Sequence, residues 1–318
     1  MLINCDPNSI EGERSLKILT YQELKEKDAL LPLMEQAFGW PFDPEEFERT
    51  IKIDPRLGGS CVGLCALDGE ILVGYVGIMS LNTKTIEGKV EKAGGIYGVA
   101  TLPGHTRQGI CKTLLNRAHE YLIEKQYRFS FLTTSPTLVA HQLYKKQGYT
   151  DVTSFPGAYK VTLQRKNKEK TQPKTKLDFG RILQIYTKYV KNKTGLVVRD
   201  EAYMKMLAKT LKISAKECII TDRGYTIFKK EARALRIREL AAADEKEMRL
   251  LIRLTESKAE DLTYARAVLD PNLRRVYRSL GYSVLQEGHG VIMVKELADT
   301  TFYQQYGDKF YMSALDHF

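Results

Sequence analysis

The sequence predicts a mixed α/β architecture, α+β in class, with two tandem units that each carry a mixed, mostly antiparallel sheet flanked by helices. Three observations carry this. The chain has 318 residues, long for one hydrophobic core and short for three. Its first half reads as strand, two helices, three strands, then helices and strands alternating. LYKKQGY at 143–149 is echoed by VYRSLGY at 276–282, each with Tyr, three residues and then Gly-Tyr closing a helix.

Each element has a local reason. Leu16 to Thr20 is short and apolar, as in a strand, and Gln22 to Phe38 places Leu24, Leu30, Leu31, Met34 and Phe38 at helical spacing. GWPFDPEEFERTI holds two prolines and an Asp-Pro-Glu-Glu start, the pattern of a loop followed by a helix. SCVGLCAL and EILVGYVGIMSL flank Asp68-Gly69, a tight-turn pair, and predict a hairpin. KVEKAGGIYGVAT adds a third strand. From Arg107 to Lys125, Ile110, Leu114, Ala118, Tyr121 and Leu122 follow one helical face. YRFSFLTT is then a strand, TLVAHQLYKKQGY a helix ended by Gly148, and AYKVTLQ a strand that closes the first sheet. Downstream, CIITDRGYTIFKK (hairpin), ALRIREL (strand), AAADEKEMRLLIRLTESKA (helix), LTYARAVL (strand) and GVIMVKEL (strand) repeat part of that order. The expected divisions are 1–165 for the first unit, 166–178 for a basic linker, 179–297 for a degenerate second unit and 298–318 for a C-terminal tail.

Composition removes several classes. Hydrophobic content of 43% suits a folded chain. No apolar run approaches the ~18 residues of a membrane helix, and the first residues lack a basic-then-apolar layout, so the expectation is a cytoplasmic protein with no membrane partner. Cys5, Cys61, Cys65, Cys111 and Cys218 are odd in number and scattered, unlike a disulfide framework. Cys61 and Cys65 lie four apart in a strand-like run, ~13 Å, too far for one zinc, and no HExxH occurs, so no metal site is expected. The net charge of +10 suits an anionic ligand. Much of it falls in QRKNKEKTQPKTK, 164–176, with no interleaved aromatics, which argues against nucleic acid.

The stretch GVATLPGHTRQGICKTLL, 98–115, runs from strand through a tight turn into a helix. In that arrangement main-chain N–H groups at the helix start face an anion. Gly104 and Gly109 allow unusual backbone and close approach, while Arg107 and Lys112 add charge beside the helix dipole. A pyrophosphate fits these residues. A P-loop does not, because Ile110 and Cys111 separate Gly109 from Lys112, and neither does a dinucleotide GxGxxG.

The same turn resembles motif A of the GNAT acetyltransferases, Gln/Arg-x-x-Gly-x-Gly/Ala after the fourth strand. The pattern falls on Thr106, Arg107, Gln108, Gly109, Ile110 and Cys111, with Thr106 and Cys111 departing from the usual residues. The resemblance covers roughly residues 16–165. It implies acetyl-CoA as cofactor, its pantetheine arm pairing with the backbone of Val99, Ala100 and Thr101, and its pyrophosphate on the amides from Arg107 to Lys112. The family's usual Asn seven residues before the helix Tyr is Thr137 here, whereas the Tyr is present as Tyr144.

Acetyl transfer to an amine needs a polarised carbonyl, a neutral amine and a proton for the departing thiolate. Backbone N–H near Val99 can serve the carbonyl. A tyrosine, with a phenol pKa near ~10 against a thiol near ~8.5, can supply the proton, and Tyr144 is the expected donor. The only carboxylate on the strand before Ala100 is Glu91, near its far end. The tandem order, HTRQGI and a terminal Phe are similar to the enhanced intracellular survival (Eis) acetyltransferases, although no room remains after Leu297 for their sterol-carrier-like domain. That likeness implies that the C-terminal carboxylate of Phe318 enters the first active site opposite the Tyr. AAADEKEM puts acids where a phosphate would sit, so the second unit is expected to be catalytically silent, with Tyr277 in its core. Trp40, Phe42 and the neighbouring acids are expected to receive a cationic amine. The expected function is acetyl-CoA-dependent N-acetyl transfer to a small-molecule or polyamine-like primary amine. A FemX-type aminoacyl transferase and a cofactor-binding sensor without turnover remain as alternatives. Related proteins often assemble, so a homo-oligomer stays open.

Overall fold

The computed structural model describes residues 16–39, 41–161 and 177–318. The N-terminal part follows the sequence pattern closely. β1 (Lys17–Thr20) pairs with β2 (Gly63–Asp68), and β2 turns through Gly69, at φ +60°, into β3 (Ile71–Lys84). Between β1 and β2, α1 (Leu30–Phe38) covers only the second half of the expected helix. Leu24 O accepts from Lys27 Nζ at 2.7 Å, which holds residues 21–27 in a non-helical turn. α2 (Pro44–Ile53) starts at Asp43, whose side chain accepts from the Glu46 amide. β4 (Val90–Thr101), α3 (Ile110–Glu124), β5 (Phe129–Thr134) and α4 (Val139–Lys146) then follow in the expected order.

The next strands depart from expectation. β6 (Thr150–Ser154) stays in the first sheet, whereas β7 (Gly157–Val161), the strand expected to close that sheet, crosses into the second. After α5 (Phe179–Tyr189), β8 (Thr194–Leu196) and α6 (Glu201–Thr210), the second sheet is built from β9 (Cys218–Ile220), β10 (Gly224–Glu231), β11 (Ala234–Ala242), β12 (Leu262–Ala265) and β13 (Ser283–Leu285). α7 (Glu245–Glu256) and α8 (Pro271–Ser279) flank it. β14 (Val291–Glu296) returns to the first sheet and lies between β5 and β6, while β7 lies between β12 and β13. The two sheets therefore exchange strands reciprocally. The chain leaves the first sheet at Pro156, which has no N–H to continue a ladder. The opposite crossover passes against Phe155 at Gly288 and Gly290, where an added Cβ would lie 1.6 Å from the Phe155 carbonyl oxygen and 2.6 Å from its ring.

The tail forms α9 (Phe302–Tyr306) and β15 (Phe310–Met312), which pairs with β8. Phe302, Tyr306 and Phe310 stack among Phe129 and Phe131 of β5, and the same apolar core includes Tyr186 of α5 and Tyr225 of β10. This core joins both sheets. A separate core under α3 holds Ile110, Leu114, Leu132 and Tyr144.

Candidate active site

The turn before α3 leaves main-chain amides at a helix start, an arrangement that can face an anion. Arg107 takes φ +62° and Gly109 φ +80°, two left-handed residues that curl the main chain, and His105 N–H bonds to Leu102 O at 2.9 Å. The first bond closing into the helix is Thr113 N–H to Gly109 O, 2.9 Å, so Ile110, Cys111 and Lys112 begin α3 with amides that have no intrahelical acceptor. Thr106, Arg107, Gln108, Gly109 and Lys112 are exposed. Thr106 uses its hydroxyl locally, on Pro103 O at 2.9 Å, and Gln108 Nε2 reaches Gly104 O at 3.3 Å, so both stiffen the turn.

The sheet opens beside this turn. β4 and β5 pair in parallel only at Gly94 with Ser130 and Gly95 with Phe131, although β4 continues to Thr101 and β5 to Thr134. On the other edge of β4, the register against β3 slips between Tyr97 and Ala100, with Gly98 at φ +56°. This is a β-bulge with glycine at its left-handed position. It re-aims the backbone of Val99, Ala100 and Thr101 next to an unpaired seam. An extended pantetheine-like chain could add there as a strand adds to a sheet edge. The sequence signal for the bulge was a glycine inside a strand pattern, GGIYGVA, which was read only as strand.

Tyr144 is 7% exposed, packs edge-on against Tyr149 at 6.0 Å, and lies in the α3-side core. Burial raises its phenol pKa, with the nearby Cys111 adding to the effect, so it stays protonated. Cys111 is itself pushed up to about 11 by burial and is a neutral thiol. Thr137 stands before α4 and shares a hydrogen bond of 2.8 Å with Ser135.

Phe318 comes from the opposite face. Its main-chain oxygen accepts from Thr133 Oγ1 at 2.8 Å, at the end of β5 where the seam opens, and its ring packs on the core that contains Phe129 and Phe131. Thr133 was not singled out in the sequence; its neighbour in space is 185 residues away. Glu91 is engaged elsewhere, by Arg128 and by Gln305 at 2.7 Å. Phe42 packs on Phe47, ring centroids 5.4 Å apart, in the cluster that also holds Tyr97 and Ala100. Trp40 lies outside the described residues.

The helices beside the second sheet present a different end. A cavity of about 1210 Å³ lies among α5, the starts of α7 and α8 and the tail residues Asp308–Tyr311. The start of α7 is filled by its own Asp244, which accepts from the Glu247 amide at 3.0 Å and pairs with Arg223. A phosphate there would meet that carboxylate. Tyr277 is fully buried in the core against the second sheet.

Among the described residues no helix is long and apolar enough to cross a membrane. Residues 20–152 match the acetyltransferase (GNAT) domain family. No curated protein matches the sequence. Among solved structures, a GCN5-related N-acetyltransferase from Kribbella flavida superposes with a TM-score of 0.65 at 16% identity, over 88% of this chain and 70% of that one. Eis1 from Mycobacterium abscessus gives 0.56 at 16%, over 89% and 73%. A GCN5-related N-acetyltransferase from Sphaerobacter thermophilus gives 0.54 at 13%, over 91% and 98%. These likenesses show the fold, and the match to the acetyltransferase (GNAT) domain over residues 20–152 supports acyltransferase activity.

Proposed function

We propose that this chain transfers an acetyl group from acetyl-CoA to a primary amine of a small-molecule or polyamine-like acceptor. The observation that carries the reading is the open seam between β4 and β5. It has a glycine bulge on one strand, a helix start with free amides at its end, and the terminal oxygen of Phe318 held on the other strand.

The residues fit the cofactor's chemistry. The amides from Arg107 to Lys112, with the Arg107 and Lys112 charges, would hold a pyrophosphate, and Val99, Ala100 and Thr101 would pair with the pantetheine arm. The bound thioester supplies an activated acyl group. Backbone N–H freed by the bulge stabilises negative charge on an acyl oxygen. Tyr144, kept neutral by burial, holds a proton ready for a thiolate, and the Phe318 carboxylate takes one from the incoming ammonium. We assign residues 1–165, less β7 and with β14 added, to the catalytic unit, 166–178, most of which lie outside the described residues, to a linker, 179–297, less β14 and with β7 added, to a silent unit, and 298–318 to a tail that completes the first site. Phe42 and the acids of α2 form the side from which a cationic amine enters.

The test is thermal melting with acetyl-CoA, followed by thiol release with an amine panel. Stabilisation together with amine-dependent release is the expected result. Stabilisation without release would make the chain a sensor, and absence of stabilisation would point to an aminoacyl transferase of the FemX type.

A further inference from the structure

Arg199, 1% exposed, sits between two buried carboxylates. Its Nη1 and Nη2 donate to Glu239 of β11 at 3.1 and 2.6 Å, and its Nε and Nη2 donate to Asp316 of the tail at 3.0 and 2.9 Å. The guanidinium lies 3.9 Å from the centre of the Tyr186 ring. Tyr225 donates to Glu239 at 2.6 Å, Tyr203 donates to Asp316 at 3.1 Å, and Ser313 also donates to Glu239. Two carboxylates against one cation is an expensive arrangement for a core, and an apolar cluster of similar volume would stabilise the fold as well. What such a cluster supplies is a fixed place for each of its members. The member that moves furthest through the sequence is Asp316, two residues before the terminus.

We infer that Arg199, with Glu239, is a positioning residue. It clamps Asp316 to the second sheet and thereby holds the Phe318 carboxylate in the seam of the first. The inference rests on the reading that this carboxylate takes part in acetyl transfer. Chain geometry gives the leverage. Two residues span at most ~7 Å, so a clamp at Asp316 confines the terminus to about that radius. Without it the nearest remaining polar anchor is Ser313, bonded to Glu239, five residues back and with a reach of ~17 Å. The accessible volume grows on the order of 10-fold, and the local concentration of the carboxylate at the amine falls by the same factor. Only His317 lies between clamp and terminus, with its ring edge-on to Phe155 at 5.6 Å. On this view the second unit, whose own helix start is closed to phosphate, serves the first by holding its last residue.

The experiment uses the full chain with Asp316→Ala and Asp316→Asn. Both leave Arg199 and Glu239 as a one-to-one pair, so no cation in the core is left without a carboxylate. Two quantities are read: the rate at which a carboxypeptidase releases Phe318, which needs no acceptor, and kcat and KM in the thiol-release assay with an accepted amine. Asp316→Ala should release Phe318 at least ~10-fold faster and lower kcat by roughly 10-fold, with the acetyl-CoA KM within about twofold. Asp316→Asn, whose amide oxygen still accepts from Arg199, should recover part of both. Parental protection of Phe318 in Asp316→Ala would overturn the clamp. Parental kcat in that variant, while a chain lengthened by one glycine after Phe318 is inactive, would overturn the positioning role alone. Full activity of the lengthened chain would instead remove the carboxylate from the reaction, and the positioning role with it.

Discussion

Thr133 donates its hydroxyl to the main-chain oxygen of Phe318 at 2.8 Å, and it does so at the point where β5 has lost its pairing to β4. A β-strand that loses one neighbour normally exposes its edge; here a side chain at that point of β5 holds Phe318.

Thr133→Val keeps the shape of the side chain and removes that donor. The fold should lose about 1 kcal/mol, because one half-buried hydrogen bond is exchanged for solvent. Turnover should fall more than stability does, since the terminus loses its partner in the seam. Urea midpoints compared with kcat measure the two effects; equal midpoints and equal kcat would show that the bond has no part in either.

Two substitutions in the turn before α3 should separate backbone strain from cofactor affinity. Arg107 pays for its left-handed φ of +62°, so Arg107→Gly should raise stability by about 1 kcal/mol while weakening acetyl-CoA binding through the lost charge. Gly109 is left-handed at +80° with open space around a would-be Cβ, so Gly109→Ala should cost about 1–2 kcal/mol from strain alone. Melting should thus move in opposite directions, and acetyl-CoA Kd should rise in both. Titration calorimetry beside a melting curve checks the pattern.

The reciprocal crossover makes a third expectation. An added Cβ at Gly288 would stand 1.6 Å from the Phe155 carbonyl oxygen and 2.7 Å from its carbon, both main-chain atoms that cannot rotate away. Gly288→Ala should therefore cost ~3 kcal/mol, whereas Gly59→Ala, with nothing within 4 Å, should be near neutral. Equal urea midpoints for the two variants would mean that the crossover relaxes freely.

Acid sensitivity should trace partly to His119. Burial lowers its pKa from 6.5 to about 3, with Lys295 adding to the effect. Its Nε2 shares a hydrogen bond of 3.0 Å with Tyr149, whose hydroxyl also meets Ser130 at 2.6 Å. Between those two pKa values the unfolded chain binds a proton that the folded chain refuses, so stability rises with pH across that window and is lost as pH falls through it. The slope approaches ~1.4 kcal/mol per pH unit for one group. His119→Gln should flatten the dependence of the urea midpoint between pH 6 and pH 4, and an unchanged slope would assign it to other groups.

Much of the first unit was legible because each of its elements is locally consistent. Asp43 caps α2, Gly69 turns the hairpin and Gly148 ends α4, each for a reason visible within a few residues. The exchange of β7 and β14 was not legible. Both strands have ordinary strand sequences, and what decides their sheet is the partner, not the pattern. Residues 179–210 gave no expectation either, although α5 and α6 start at Asp178 and Asp200 with side-chain caps that the sequence does display. At the site, the helix start was readable from Gly109 and its charges. Thr133 and the clamp on Asp316 were not, since each joins residues more than a hundred positions apart.

Tyr144→Phe should divide chemistry from binding. The ring keeps its place against Tyr149, and among the described residues the hydroxyl has no hydrogen-bond partner, so the fold should lose little. Burial holds the phenol neutral well above physiological pH, so the parental enzyme should show no loss of its proton donor across the alkaline range in which an amine acceptor becomes uncharged. Removing the donor should lower kcat by ~10²-fold or more, the usual contribution of a positioned general acid, and leave the acetyl-CoA Kd within about twofold. If kcat falls only with acceptors whose products leave slowly, the phenol assists release; if it does not fall at all, Tyr144 is a packing residue and the proton reaches the thiolate from solvent.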